Sequence, residues 1–272
     1  MGAMSPAVAA RVAEMMRRVR SGESLGPRLT RQEKERLLNS EPGTLDAGFD
    51  CPLCMNRGYS YRISDSGERV VVPCRCEKRR AAIRNIRRSG LADVIREKTF
   101  EAFRTDRPWQ KTVKASAERF AENPGKCFFI GGASGSGKTH ICTAICGKLL
   151  ESGVPVRYIM WRETAQKALA SITDDEEFSR LVSPMRMEQC VYIDDLFKVR
   201  RGGRISDGEV KLAFDVINAR YTRKNKITII STELSPEQLL DVDEATGGRI
   251  IEMAGKFLFD VSDKQNWRLG DG

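Results

Sequence analysis

Hydrophobic and polar positions along this chain change period several times, and each change marks an element. Near the start, Ala7, Val8, Val12, Met15, Met16 and Val19 recur at helical spacing with Arg11, Arg17, Arg18 and Arg20 between them, which predicts an amphipathic helix. Ser21-Gly22-Glu23 and Gly26-Pro27 break it. A second helix is predicted from Thr30 through Leu37-Leu38, with Glu33 as the capping-box partner. The period then drops to two. Tyr59, Tyr61 and Ile63 alternate, Ser64-Asp65-Ser66-Gly67 marks a turn, and Val70-Val71-Val72 returns, which predicts a β-hairpin. Helical spacing resumes over 78–90, where Ile83 and Ile86 oppose Lys78-Arg79-Arg80, Arg84, Arg87 and Arg88. A further helix is predicted over about 108–122, with Trp109, Val113, Ala117 and Phe120 on its apolar side.

From residue 126 to 261 short apolar runs alternate with helical patterns. The runs are 126–130, 155–160, 189–193, 227–231 and 256–261. Such alternation predicts an α/β fold, a mostly parallel sheet of about five strands with helices on both faces. The expected division is a helical arm at 1–45, a metal-binding module with its basic helix at 46–90, and an ATPase domain at 91–272. The short segment after the last run leaves no room for a C-terminal helical lid, so a neighbouring subunit is expected to complete the nucleotide site.

Composition changes this picture little. The chain is 40% hydrophobic and 31% charged, which suits a soluble protein with a buried core. No apolar run reaches the length of a membrane span, and no signal-peptide pattern is present, so a cytoplasmic protein without a membrane partner is expected. Met1-Gly2-Ala3-Met4 reads as a tag remnant and is set aside. The net charge of +9 suits either an acidic partner such as nucleic acid or a solvated basic surface.

Four of the cysteines carry more information. Cys51-Pro52-Leu53-Cys54 and Cys74-Arg75-Cys76 flank the predicted hairpin in the spacing C-x2-C-x19-C-x-C. Each close pair supplies two thiolates from one turn, and four sulfurs in a closed site suit a structural Zn²⁺ ion better than an iron–sulfur cluster. The basic helix that follows is either a phosphate-contacting surface or a solvated face. The two N-terminal helices are either an arm that docks a partner or a hairpin packed on their own metal module.

The stretch Gly132-Ala133-Ser134-Gly135-Ser136-Gly137-Lys138-Thr139 follows an apolar strand and opens a helix, the context of a phosphate-binding P-loop. Glycines let successive backbone N–H groups turn toward phosphate, and the helix start adds its dipole. Lys138 is expected on the β/γ-phosphates of ATP and the Thr139 hydroxyl on Mg²⁺, with His140 next along the same helix counted in the nucleotide site. Val191-Tyr192-Ile193-Asp194-Asp195 is a Walker B pattern, in which Asp194 supports Mg²⁺ and Asp195 activates the attacking water. Thr232, at the tip of the fourth run, is expected to touch the γ-phosphate or that water. Arg249, after Gly247-Gly248, is either an arginine finger or an ordinary surface arginine. Arg200, Arg201 and Arg204 around Gly202-Gly203 form a loop that either touches DNA or is solvated.

With these motifs in place, the chain resembles a DnaC-type helicase loader of the AAA+ superfamily, of the kind carried by bacteriophages and mobile elements. The resemblance spans about residues 46–269. It rests on Cys51-Pro52-Leu53-Cys54 with Arg57-Gly58-Tyr59, Pro73-Cys74-Arg75-Cys76, Thr99-Phe100-Glu101-Ala102-Phe103, the P-loop, Tyr192-Ile193-Asp194-Asp195, and Leu239-Leu240-Asp241 through Arg249-Ile250. It implies an ATPase whose N-terminal region binds a hexameric replicative DNA helicase and whose AAA+ module binds ATP and single-stranded DNA. It further implies Thr99-Phe100 near the adenine, while the missing lid and the place of Arg249 predict a homo-oligomer in which Arg249 acts in trans. The chain departs from the family pattern where Asn is common near Thr232, where a further arginine is common at Met253, and where Glu is usual at Asp195. These departures fit a switch with slow, partner-stimulated turnover. The rival readings are an IstB-type transposition ATPase, whose partner is a transposase, and an ATP-gated DNA-binding adaptor with little hydrolysis.

Overall fold

The computed structural model describes residues 30–45, 50–199 and 203–264, with isolated positions before residue 22. The predicted first helix and the arginines at 200 and 201 lie outside the described residues. The chain divides into two compact units, one ending at Glu77 and the other beginning at Lys78.

In the first unit, Thr30 and Glu33 form the capping box that starts α1 (Arg31–Leu38). β1 (Tyr59–Ile63) and β2 (Arg69–Pro73) pair antiparallel, with Tyr61 opposite Val71. The end of α1 is bound to this hairpin: the Asn39 side chain donates to the Tyr61 carbonyl at 2.8 Å and accepts from the Tyr61 N–H at 2.9 Å. Arg57 donates to the Leu38 carbonyl at 2.8 Å, and the Ile63 N–H donates to Glu35 at 2.8 Å. Of the two readings of the second N-terminal helix, the structure therefore shows packing on its own module. The expected boundary at residue 45 disappears for the same reason.

The second unit begins inside α2 (Cys76–Ser89) rather than after it, because Ile86 packs against the apolar cluster of that unit. Along α2, Arg84 and Arg87 are exposed and Arg80 is buried. Then follow α3 (Pro108–Glu122), β3 (Cys127–Gly132), α4 (Lys138–Glu151), β4 (Val156–Met160), α5 (Trp161–Ala170), α6 (Asp175–Met187), β5 (Cys190–Leu196), α7 (Asp207–Tyr221), β6 (Ile227–Thr232), α8 (Pro236–Val242), α9 (Glu244–Ala254) and β7 (Leu258–Val261).

The five strands β3 to β7 form one parallel sheet in the order β4-β5-β6-β3-β7. Every residue of β3 is buried, as expected of a central strand covered on both faces. Its side chains alternate between two cores: Phe128 and Ile130 join Phe120, Ile141 and Ile145, while Cys127 and Phe129 join Trp161, Val191 and Val216. The strand order sets the site. β6 lies between the P-loop strand β3 and the acidic strand β5, so the loops after β3, β5 and β6 open at one edge of the sheet, where α/β folds place their ligands. Among the described residues no helical lid follows β7.

Candidate functional site

The loop between β3 and α4 is built from backbone that other residues adopt with difficulty. Gly132, Gly135 and Gly137 have φ of 117°, 77° and 90°. A Cβ on Gly132 would lie 2.3 Å from the Ser262 nitrogen, so that position also excludes a side chain by space. Ser136 is buried and its hydroxyl donates to the Ala133 carbonyl at 2.8 Å, closing the loop on itself. The Lys138 ammonium donates to the Gly132 carbonyl at 2.8 Å and the Ala133 carbonyl at 2.7 Å. Burial lowers the Lys138 pKa, while the nearby Glu233 and Asp195 carboxylates oppose that shift. Ser134 is exposed at the rim. A loop of inward backbone donors, a lysine and a helix start fits a triphosphate.

Asp194 is buried and heavily bonded. Its Oδ1 accepts from the Tyr192 hydroxyl at 2.7 Å, from the Thr139 hydroxyl at 3.3 Å and from Ser231. Its Oδ2 accepts from the Tyr158 hydroxyl at 2.8 Å. Ser231 also accepts from the Asp195 N–H at 3.2 Å, which ties the tips of β5 and β6 together. The Thr139–Asp194 pair is the arrangement a Mg²⁺ ion would need from this chain, a hydroxyl and a carboxylate side by side beside the phosphate loop. Nothing in the spacing of the sequence singles out Tyr158, Tyr192 or Ser231. Their role depends on which strands are neighbours, and only the strand order β4-β5-β6 reveals it.

Asp195 faces a different set of groups. Its Oδ2 accepts from the Lys198 ammonium at 2.9 Å, and Lys198 also reaches Glu233 at 3.1 Å. Burial pushes the Lys198 ammonium down, but the Asp195 and Glu233 carboxylates outweigh it and hold its pKa above the ordinary lysine value. Burial likewise raises the Glu233 carboxyl, yet Lys198, Ser134 and Lys138 together hold it below the usual range. Thr232 is placed otherwise than expected. It is fully buried and its hydroxyl donates to the Leu196 carbonyl at 2.6 Å, while Glu233, the residue after β6, is the neighbour of Lys198, Ser134 and Lys138.

His140 is engaged with the segment before α3. Its Nε2–H donates to the Thr99 carbonyl at 2.8 Å, and its ring meets Phe103 edge-on at 5.4 Å. Phe103 in turn lies against Gly137, where a Cβ would come within 3.1 Å of the ring. His140 thus anchors Thr99–Phe103 to the start of α4.

Arg249 lies apart from these groups. Its guanidinium stacks over Phe214 at 5.0 Å and Tyr221 at 5.7 Å, donates to Asn218 at 3.1 Å and to the Ala245 carbonyl at 2.7 Å. None of these partners belongs to the chain's own phosphate loop. Of the loop arginines expected at the sheet edge, Arg204 is described and exposed.

In the first unit the four sulfurs of Cys51, Cys54, Cys74 and Cys76 lie within 4.8 Å of one another. Cys51 and Cys74 are 3.9 Å apart and Cys54 and Cys76 3.5 Å. A tetrahedral ion with sulfur ligands at ~2.3 Å has edges of ~3.8 Å, so the cluster fits one ion. A multi-iron cluster would hold its thiolates farther apart. Met55 and Asn56, with φ of 47° and 64°, form the turn of the first knuckle. The Cys54 N–H pulls the Cys51 thiol down to about 6, against desolvation and with help from the Leu53 N–H. The Gly58 N–H donates to the Cys54 sulfur at 3.3 Å, an outer contact typical of thiolate sites.

Comparison with known proteins places these features. Residues 95–252 match the family described as the bacterial DnaA ATPase domain. The chain is 32% identical over 244 residues to the phage-like element PBSX protein XkdC of Bacillus subtilis, covering 84% of this chain and 88% of that protein. It is 26% identical over 295 residues to the uncharacterized protein YqaM of the same organism, covering 89% and 93% of the two chains. Its fold is similar to the crystal structure of the DnaC helicase loader, with a TM-score of 0.51, 16% identity and coverage of 61% of this chain and 97% of that one. The crystal structure of DnaI gives 0.50 at 17% identity, covering 63% and 92%. The matched span runs from the anchoring segment through the P-loop and the Asp194-Asp195 strand to α9, and on it this chain belongs to the bacterial DnaA ATPase-domain family, an AAA+ ATPase-type domain related to replication proteins.

Proposed function

We propose that this protein is an ATP-driven, cytoplasmic loader that places a hexameric replicative DNA helicase onto single-stranded DNA. The observation that carries the ATPase half is the convergence of Lys138, Thr139, Asp194 and Asp195 at one sheet edge. The loader half is supported by the sequence motifs shared with DnaC-type proteins, by the cysteine module placed before the ATPase unit, and by the phage-element relative.

In this reading the P-loop N–H groups and Lys138 bind the phosphates of ATP. Thr139 and Asp194 would hold Mg²⁺, which would supply charge neutralisation. Asp195 orients a water so that its oxygen bonds to the γ-phosphorus while the bond to the β–γ bridging oxygen breaks. ADP leaves with that electron pair, and the water proton passes to phosphate or solvent. Arg249 of one subunit faces the site of the next and stabilises the transferring charge. The four cysteines hold Zn²⁺ and shape the surface that meets the helicase.

The test is steady-state turnover of the full chain with and without single-stranded DNA and helicase. Turnover should be slow alone and rise with partners. Asp195→Asn should abolish it while nucleotide binding survives, and absence of turnover under every condition would contradict the ATPase reading.

A further inference from the structure

The turn that leaves β5 folds back on itself. Asp195 and Phe197 have φ of 55° and 59°, in the left-handed region that a bulky side chain rarely enters. The turn closes through the Lys198 N–H, which donates to the Asp195 carbonyl at 3.1 Å. Phe197 is buried and meets Trp161 edge-on at 6.0 Å, and this contact holds the turn in place. The consequence is that Lys198 returns over the residue it follows by three positions. Its ammonium rests 2.9 Å from Asp195 and 3.1 Å from Glu233, joining acids from the tips of two neighbouring strands.

The ion pair alone does not account for this arrangement. A left-handed conformation at a non-glycine residue costs on the order of 1 kcal/mol or more. A half-exposed ion pair returns ~1 kcal/mol at most. Burial of Phe197 against Trp161 holds the two strained residues in place, and strain of this kind gathers where chemistry needs a fixed geometry.

We propose that Lys198 and Glu233 are positioning residues for Asp195, an ion-paired couple that fixes the carboxylate which orients the attacking water. The proposal rests on the ATPase reading above. With Oδ2 held by Lys198, Oδ1 is the oxygen available to that water. Glu233 keeps the ammonium at this post by balancing its charge, so that Lys138 remains the cation assigned to the phosphates.

Full-length Lys198→Met, Lys198→Arg, Glu233→Gln and Asp195→Asn proteins should be compared for kcat and KM with ATP and for affinity toward a non-hydrolysable ATP analogue. Lys198→Met should lower kcat by about tenfold or more while KM and analogue affinity stay within about threefold of the parent. Lys198→Arg should recover most of the loss, and Glu233→Gln should fall between. Parental kcat in Lys198→Met, in a protein whose turnover Asp195→Asn abolishes, would overturn the proposal. So would a rise in KM and analogue Kd that matches the fall in kcat, since that makes Lys198 a nucleotide-binding group. An unaltered protein without turnover contradicts the ATPase reading itself, which separates the two failures.

Discussion

The Tyr158 hydroxyl on β4 donates to Asp194 Oδ2 at 2.8 Å, while Tyr192 holds the other oxygen at 2.7 Å. Burial, reinforced by the carboxylate itself, pushes the Tyr158 phenol well above its ordinary pKa, and the Tyr192 phenol is raised chiefly by burial. Both therefore remain donors at any pH at which the protein works. Asp194 is aimed from two strands before any metal arrives. Tyr158→Phe removes one donor and keeps the ring. Outer contacts to metal-binding groups commonly change metal affinity ten- to a hundredfold, so the Mg²⁺ concentration needed for nucleotide binding should rise about tenfold. Titrating Mg²⁺ against a fluorescent ATP analogue measures this, and an unchanged Mg²⁺ midpoint contradicts it.

The cysteines divide into two chemical classes. Cys127, Cys142, Cys146 and Cys190 are fully buried, and burial raises each thiol well above the usual range. Those at 51, 54, 74 and 76 converge on one point, and Cys51 is poised as a thiolate. Freshly purified protein should contain one zinc ion per chain by elemental analysis and resist alkylation. After chelation, a thiol reagent should label the clustered four alone, and the core four should react only on unfolding. Metal-free protein with the cluster already reactive would remove the zinc assignment.

How much of this was legible beforehand follows from the range over which each feature acts. The P-loop, the acidic strand end and the cysteine pairs are local, because their chemistry needs fixed spacing within a few residues. The five strands also announced themselves, since buried parallel strands read as apolar runs between helices. Which residue at the tip of β6 meets the loop is not legible, because a strand-tip residue faces either the loop or the neighbouring strand and alternation alone does not say which; in the structure Thr232 bonds the Leu196 carbonyl and Glu233 reaches Lys198. Lys198 follows Asp195 by a spacing that would look ordinary in any loop. Only the left-handed turn at Asp195 and Phe197 brings it back.

Arg220 is a structural counterpart to these charges. It is buried and donates to Thr228 at 2.9 Å and to the carbonyls of Met185, Glu188 and Ile227 at 3.1, 3.0 and 2.6 Å. It thereby ties the end of α6 to the start of β6, and burial lowers its pKa to about 10. Arg220→Met strands these acceptors and should cost about 3 kcal/mol in denaturant unfolding. A loss below about 1 kcal/mol would show that the carbonyls find other partners.

Arg249 is engaged by Phe214, Tyr221 and Asn218, none of them in the phosphate loop. If it serves a neighbour, Arg249→Ala should lower turnover about a thousandfold, the low end of the range known for arginine fingers. Lys138→Ala, inactive for loss of phosphate binding, still carries an intact Arg249. A mixture of the two should regain turnover that neither shows alone, and a silent mixture would place Arg249 outside the trans site.

The central claim is that ATP held at Lys138 drives a helicase onto DNA. The most direct measurement incubates the protein with a purified hexameric replicative helicase and circular single-stranded DNA, then counts helicase retained on the circles after a wash at elevated salt. Retention should rise severalfold with the unaltered protein and ATP, and fall to background without nucleotide or with Lys138→Ala. Equal retention with and without the protein, or retention indifferent to both ATP and Lys138→Ala, would contradict the claim.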